Sequence, residues 1–157
     1  MSDGEYRTLL LEAYKGELYG EALFGAFGDR EQDPARKEKL GVLERIEADT
    51  ARRLQRLVDA AGIEVADADI ASTRDQGREV GASAIEWGTF VRGLHDALPS
   101  FLASFVRLRT LAADTRDPAL VALISHEQAI NAFAELELAG EAGCSLAVLE
   151  WHLETVG

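Results

Sequence analysis

Three glutamates occupy positions that helical spacing reserves for apolar side chains. Glu17 interrupts the stripe Leu10, Ala13, Tyr14, Gly20, Phe24, Phe27; Glu47 interrupts Leu40, Leu43, Thr50, Leu54, Leu57; Glu127 interrupts Leu120, Leu123, Ile124, Ile130, Asn131, Ala134, Leu138. Side chains that recur at i, i+3, i+4 and i+7 share the core-facing side of a helix, so all three carboxylates are predicted to point inward. A carboxylate in a core is costly unless it is paired, protonated or bound to a metal. One on each of three helices implies a shared site. Such an all-oxygen set suits magnesium, manganese or calcium and holds iron more weakly. Without a metal, burial raises the carboxyl pKa values, and the groups share protons or bond to Thr50, Tyr14, Tyr19 or Asn131.

Other chemistry-bearing residues are weighed against this trio. Glu21 and Glu44 lie one turn from Glu17 and Glu47 and are either additional ligands or half-exposed surface acids. His95, His126 and His152 invite a three-histidine metal site, but the chain has no His-x-x-x-His pair on one helix. His126 projects about 100° away from Glu127 on the same helix. Each histidine is therefore expected at the surface or its boundary. Cys144 follows Gly143 near a helix start, where a thiolate is favoured; the expectation is a buried or inert thiol. Trp87, Phe90, Phe101, Phe105, Phe133 and Trp151 are expected in the core, and Arg52, Arg53, Arg56, Arg107 and Arg109 on solvated faces. There is no P-loop, dinucleotide fingerprint or zinc Cys-x-x-Cys.

The elements that must position the glutamates are helices. The chain of 157 residues is 47% hydrophobic, rich in Ala, Leu, Glu and Arg, and without sustained period-2 alternation. Residues 1–157 are read as a single all-α domain. Helix A is predicted from about Asp3 to Phe27, ended by Gly28-Asp29. Asp33-Pro34 starts helix B, which runs to Ala61 before Gly62. Ile63 to Gln76 is acidic and lacks a long apolar period; it is read as an extended crossover, about 14 residues spanning more than ~40 Å. Helix C follows from about Arg78 to Ala112, with a kink or break near Ala97-Leu98 imposed by Pro99. Asp117-Pro118 starts helix D, which runs to Ala139. A short last helix spans Ser145 to Thr155.

Two hairpins joined by a long crossover bring the glutamates to one height. Glu17 and Glu47 lie about 14 and 16 residues either side of the first turn, a mismatch of about 3 Å along the axis. Glu127 lies about 11 residues beyond the second turn, at the opposite end of a single-crossover bundle, which also places it near mid-height.

Gly16-Glu17-x-x-Gly20-x-x-x-Phe24 resembles the first helix of the ferritin-like superfamily, especially its rubrerythrin-type members. Glu47-Ala48-Asp49-Thr50-Ala51-x-x-Leu54 is similar to that group's Glu-x-x-His-Ala-x-x-Leu, and Glu127-Gln128-Ala129-Ile130 falls where its second Glu-x-x-His belongs. The resemblance covers most of the chain by topology and these short segments by sequence. It implies a ferritin-like four-helix bundle with two antiparallel hairpins, a long B–C crossover and an added C-terminal helix. It also implies a di-iron ancestry. Thr50 and Ile130 stand where both histidines belong. The height of the expected helix C glutamate falls at Leu102 to Phe105, with Glu86 and His95 roughly 10–25 Å away unless Pro99 resets the register.

Two function classes follow. In one, Glu17, Glu47 and Glu127 hold iron or manganese in a non-haem oxidoreductase or iron-binding protein, with Thr50 or Asn131 orienting a water. In the other, the bundle has lost its metal and serves as a binding module or homodimer, pairing through helix C and the last helix or gripping a small cation. The formal charge of −12 argues against nucleic acid or an anionic membrane surface as partner. No apolar stretch reaches the roughly 18 residues of a membrane span. Met1 to Arg7 lacks the pattern of a signal peptide, and the lone cysteine fits a reducing compartment. The expectation is a cytoplasmic protein.

Overall fold

The computed structural model describes residues 2–156, which form six α-helices and no strand. Helix α1 spans Ser2–Arg30, three residues past the predicted end at Phe27. Gly28 stays helical, because Arg30 anchors the last turn: its guanidinium lies 3.9 Å from the centre of the Phe27 ring and donates to the carbonyls of Gly81 and Ile85. Helix α2 spans Pro34–Ala60. Asp33 caps it as predicted, accepting from the Arg36 N–H at 3.0 Å. Gly62, at φ +64°, supplies the left-handed residue that ends it.

The segment expected to be an extended crossover is largely a helix, α3, Asp67–Ala82. It packs on α1 through glycine. A Cβ at Gly77 would lie 2.3 Å from the Tyr19 carbonyl oxygen, and one at Gly81 2.2 Å from that of Leu23. Both contacts advance together along the two chains, so α3 runs parallel to α1 with the backbones touching. That face carries almost no apolar side chain, which is why hydrophobic periodicity did not reveal it. The ion pair Arg74–Glu21, at 3.1 Å, joins the same two helices.

The predicted helix C is thereby divided. Ser83 to Glu86 separate α3 from α4, Trp87–Leu111. Glu86 is the N-cap of α4, accepting from the N–H groups of Gly88 and Thr89. Helix α4 continues through Pro99 without the expected break. Helix α5, Pro118–Leu138, starts at the predicted Asp117 cap, and Gly140, at φ +79°, follows its end. Helix α6, Ala142–Val156, starts three residues before the predicted Ser145.

Helices α1 and α2 form one antiparallel hairpin, α4 and α5 another; α1 packs beside α4 and α2 beside α5, while α6 covers α5 and α2. The two hairpin turns lie at opposite ends, since the start of α1 is tied to the end of α4 by the bidentate Glu5–Arg107 pair at 2.8 Å. The apolar core has two parts. One gathers Phe24, Phe27, Leu43, Phe90, Phe133 and Leu149; the other gathers Leu10, Leu18, Leu54, Leu108, Leu120 and Leu123. Along α1, α2 and α5 the boundary between them is a polar layer containing Glu17, Glu47, Thr50, His126 and Glu127. Phe101 and Trp151, expected in the core, are 49% and 64% exposed.

Candidate metal centre

Glu17, Glu47 and Glu127 converge, and a histidine stands among them. His126 Nε2 lies 3.1 Å from Glu17 Oε2, 3.5 Å from Glu47 Oε1 and 3.6 Å from Glu127 Oε1. Glu17 is 2% exposed and His126 not at all. Helix α4 offers no acid at this height; its Phe105 ring packs beside the imidazole, with centroids 6.1 Å apart.

His126 corrects the expectation of a surface or boundary residue. Helix α5 touches α2, α4 and α6, so its buried face is wider than one stripe. Ala119, Ala122, His126 and Phe133 lie on a second apolar row beside Leu120, Leu123, Glu127, Ile130 and Ala134. The i+4 step from Ala122 and the i+7 step to Phe133 were the available signal.

The local sequence shapes the cluster. Glu47 leans across α1 at Gly20, where a Cβ would lie 2.4 Å from Oε2. His126 uses Nδ1 on the carbonyl of Leu123, one turn back on its own helix. A carbonyl only accepts, so Nδ1 carries the hydrogen and, in the neutral ring, Nε2 presents its lone pair to the carboxylates. Histidine ligands of metals are commonly fixed by such a bond through the other nitrogen. Both His126 Nε2 and Glu17 Oε2 are buried without a directed hydrogen bond, despite their closeness.

Electrostatics pulls the groups together. Burial pushes the Glu47 carboxyl up to about 8, with the neighbouring Glu17 adding to it and His126 opposing. Burial likewise raises Glu127 to about 7, against the His126 charge. For His126, burial disfavours the charged ring, but Glu17 and Glu47 outweigh it and hold the pKa well above its ordinary value. At neutral pH the metal-free cluster therefore stores protons that a cation would displace.

The residues fit a metal. Two ligands at about 2.1 Å from one ion stand roughly 3–4.2 Å apart, depending on the angle between them. The three nitrogen–oxygen separations fall in that interval, and Glu17, Glu47 and His126 each offer an atom within 4.8 Å of the others. One imidazole with up to three carboxylates is a donor set for a single manganese, iron or zinc ion rather than for a calcium cage.

The remaining candidates lie elsewhere. Thr50 Oγ1 donates to the Ile46 carbonyl and Asn131 to Glu135, so neither is placed as the predicted water-orienting group. Tyr14 donates to Gln55. Glu21 pairs with Arg74 rather than joining the cluster. Glu44 fills the space over Gly25, its pKa raised by burial and by Glu21 and Asp29. His95 lies near Asp96 and Glu135 on the exterior, and Glu86 is occupied as a cap, so the histidines form no three-histidine site. His152, expected near the surface, is buried; burial together with the nearby His126 charge lowers it to about 4. Cys144 is exposed rather than buried. No helix among the described residues is long and apolar enough to cross a membrane.

Comparison with known proteins returns no matching protein-family model, no matching curated protein and no matching solved structure.

Proposed function

We propose that this chain is a ferritin-like helical bundle that holds one redox-active metal ion, iron or manganese, between Glu17, Glu47, His126 and Glu127, and acts as a non-haem metal-binding oxidoreductase. The observation that carries the reading is the buried His126 Nε2, which lacks a directed hydrogen bond, faces three carboxylates from three helices and is fixed in tautomer by Leu123. The order of the helices and the parallel crossover helix α3 support the ferritin-like assignment. The ligand set departs from the di-iron pattern. Thr50 and Ile130 replace the two histidines, and His126, one residue before Glu127, supplies a single imidazole. Glu17, Glu47 and His126 stand close enough together to share one ion rather than two, and Glu127, 3.6 Å from His126, adjoins that group.

A bound iron or manganese ion would supply one-electron chemistry in this setting. The chain's part is to hold the carboxylates in place, to exclude bulk water between the two apolar clusters, and to release the protons of Glu47 and Glu127 as the ion enters.

A second reading draws on the raised pKa of His126. Its imidazolium stands 3.1–3.6 Å from three carboxylates and can itself serve as the cation of a metal-free bundle. Such a bundle would be a binding or dimeric interaction module, with Phe101 and Val106 on α4 and Trp151 on α6 as exposed apolar surface.

Titration of chelator-treated protein with Co²⁺ separates the two. The metal reading expects visible d–d absorption that saturates at one equivalent and is lost in His126→Ala. A flat spectrum indistinguishable from that of His126→Ala would support the imidazolium reading.

A further inference from the structure

Helices α5 and α6 border a second feature, an open hollow of about 370 Å³ on the outer side of the bundle. Its lining includes the small side chains Ala129, Ala132 and Ala147, which leave room between the two helices. Val148 and Trp151 form one wall, and Ser125 and Gln128 provide polar groups. Trp151 is 64% exposed, the most exposed of the large apolar side chains. His152 also lines the hollow while being only 2% exposed, and its ring has no hydrogen-bond partner among the described residues. The hollow thus offers an imidazole whose ring a ligand's polar group can approach.

We propose that this hollow binds an uncharged, planar aromatic molecule of phenol or indole size, whose ring stacks on Trp151 and whose O–H or N–H bonds to His152. The volume lies at the low end of the range for small-molecule sites, and the lining is mostly apolar with a few polar groups, as in such sites. The lining carries no carboxylate, lysine or arginine, so nothing there selects a charged ligand. The indole face supplies geometry-specific attraction to another ring. The recessed imidazole argues for a small molecule over a second copy of the chain, because a flat helix-to-helix contact leaves its ring nitrogens unpaired. The hollow shares no lining residue with the metal cluster.

The test uses chelator-treated full-length protein and phenol, with cyclohexanol as the non-aromatic control. The chain has two tryptophans, so its ¹⁵N NMR spectrum contains two indole N–H signals, and Trp151→Ala assigns them. Phenol should shift the Trp151 signal saturably and leave that of buried Trp87 in place. It should bind about two- to tenfold more tightly than cyclohexanol, the ratio expected from ring stacking. Ala147→Phe, at an exposed position, should fill the hollow and abolish the shift, and ligand-observed saturation transfer should vanish in Trp151→Ala. The proposal is overturned if no saturable shift occurs up to the solubility limit of phenol, or if cyclohexanol binds equally well. Broadening of the Trp151 signal that grows with protein concentration without phenol would overturn it in favour of a second copy of the chain.

Discussion

The Glu47 carboxylate rests over the bare α-carbon of Gly20, where a Cβ would approach Oε2 to 2.4 Å and Cδ to 2.9 Å. The obstructed group is the end of a flexible side chain, so Gly20→Ala should displace the carboxylate without breaking the helix. Alanine is favoured over glycine in a helix interior by about 1 kcal/mol. The expected outcome is a metal-free protein as stable as the parent or slightly more so, with metal affinity lowered about tenfold or more. Melting curves and competitive metal titration on the same preparation check both halves.

At Gly81 the obstruction is backbone. A Cβ there meets the Leu23 carbonyl oxygen at 2.2 Å and the Ala26 Cβ at 3.0 Å, and neither can swing away. Gly81→Ala should cost a net ~1–3 kcal/mol through overpacking, despite the better helix propensity. Denaturant unfolding measures it, and hydrogen exchange should show the loss concentrated in α3.

The metal-free protein should lose stability as pH rises from about 6.5 to 8. Glu47 and Glu127 titrate in the folded chain near 8 and 7, above the ordinary 4.5, and His126 well above 6.5. For groups raised on folding, the stabilising contribution is complete below the unfolded pKa and is lost as pH passes the folded one. Each extra proton held by the folded state gives a slope of about 1.4 kcal/mol per pH unit. His152, lowered to about 4, acts in the opposite sense, but only below 6.5. Glu127→Gln should flatten the slope, as read by urea unfolding at pH 6.5 and 8.

Lys39 and Glu137 pin four helices at the end of the bundle near the first turn. Lys39 Nζ lies 2.5 Å from Glu137 Oε1 and 2.8 Å from the Ala142 carbonyl oxygen, while Trp87 Nε1 and Ser145 Oγ also donate to Glu137. Lys39→Met leaves the carboxylate buried without its cation and should cost about 3 kcal/mol. Adding Glu137→Leu should recover part of that loss, which thermal unfolding of the single and double variants resolves.

Signals written in adjacent residues were legible. Asp33-Pro34 and Asp117-Pro118 mark both helix starts, and the apolar stripes around Glu17, Glu47 and Glu127 place three carboxylates inward. Signals that depend on a neighbour were hidden. Gly77 and Gly81 add nothing to an apolar stripe, yet they are the contact face of α3, because the partner there is the backbone of α1. Pro99 reads as a kink or a break, and α4 continues through it unbroken. His126 lies off the single stripe assumed for α5 and becomes a core position only because three helices surround α5. Thr50 and Ile130 are where the family resemblance fails, and the substitute imidazole, His126, was marked only by its i+4 and i+7 spacing from Ala122 and Phe133.

The most direct measurement is the metal content of untagged protein purified from cells supplemented with iron and manganese, beside Glu17→Ala and His126→Ala prepared identically. One iron or manganese ion per chain is expected in the parent, with most of it lost in both variants. Substoichiometric metal in the parent, unchanged in the variants, would contradict it.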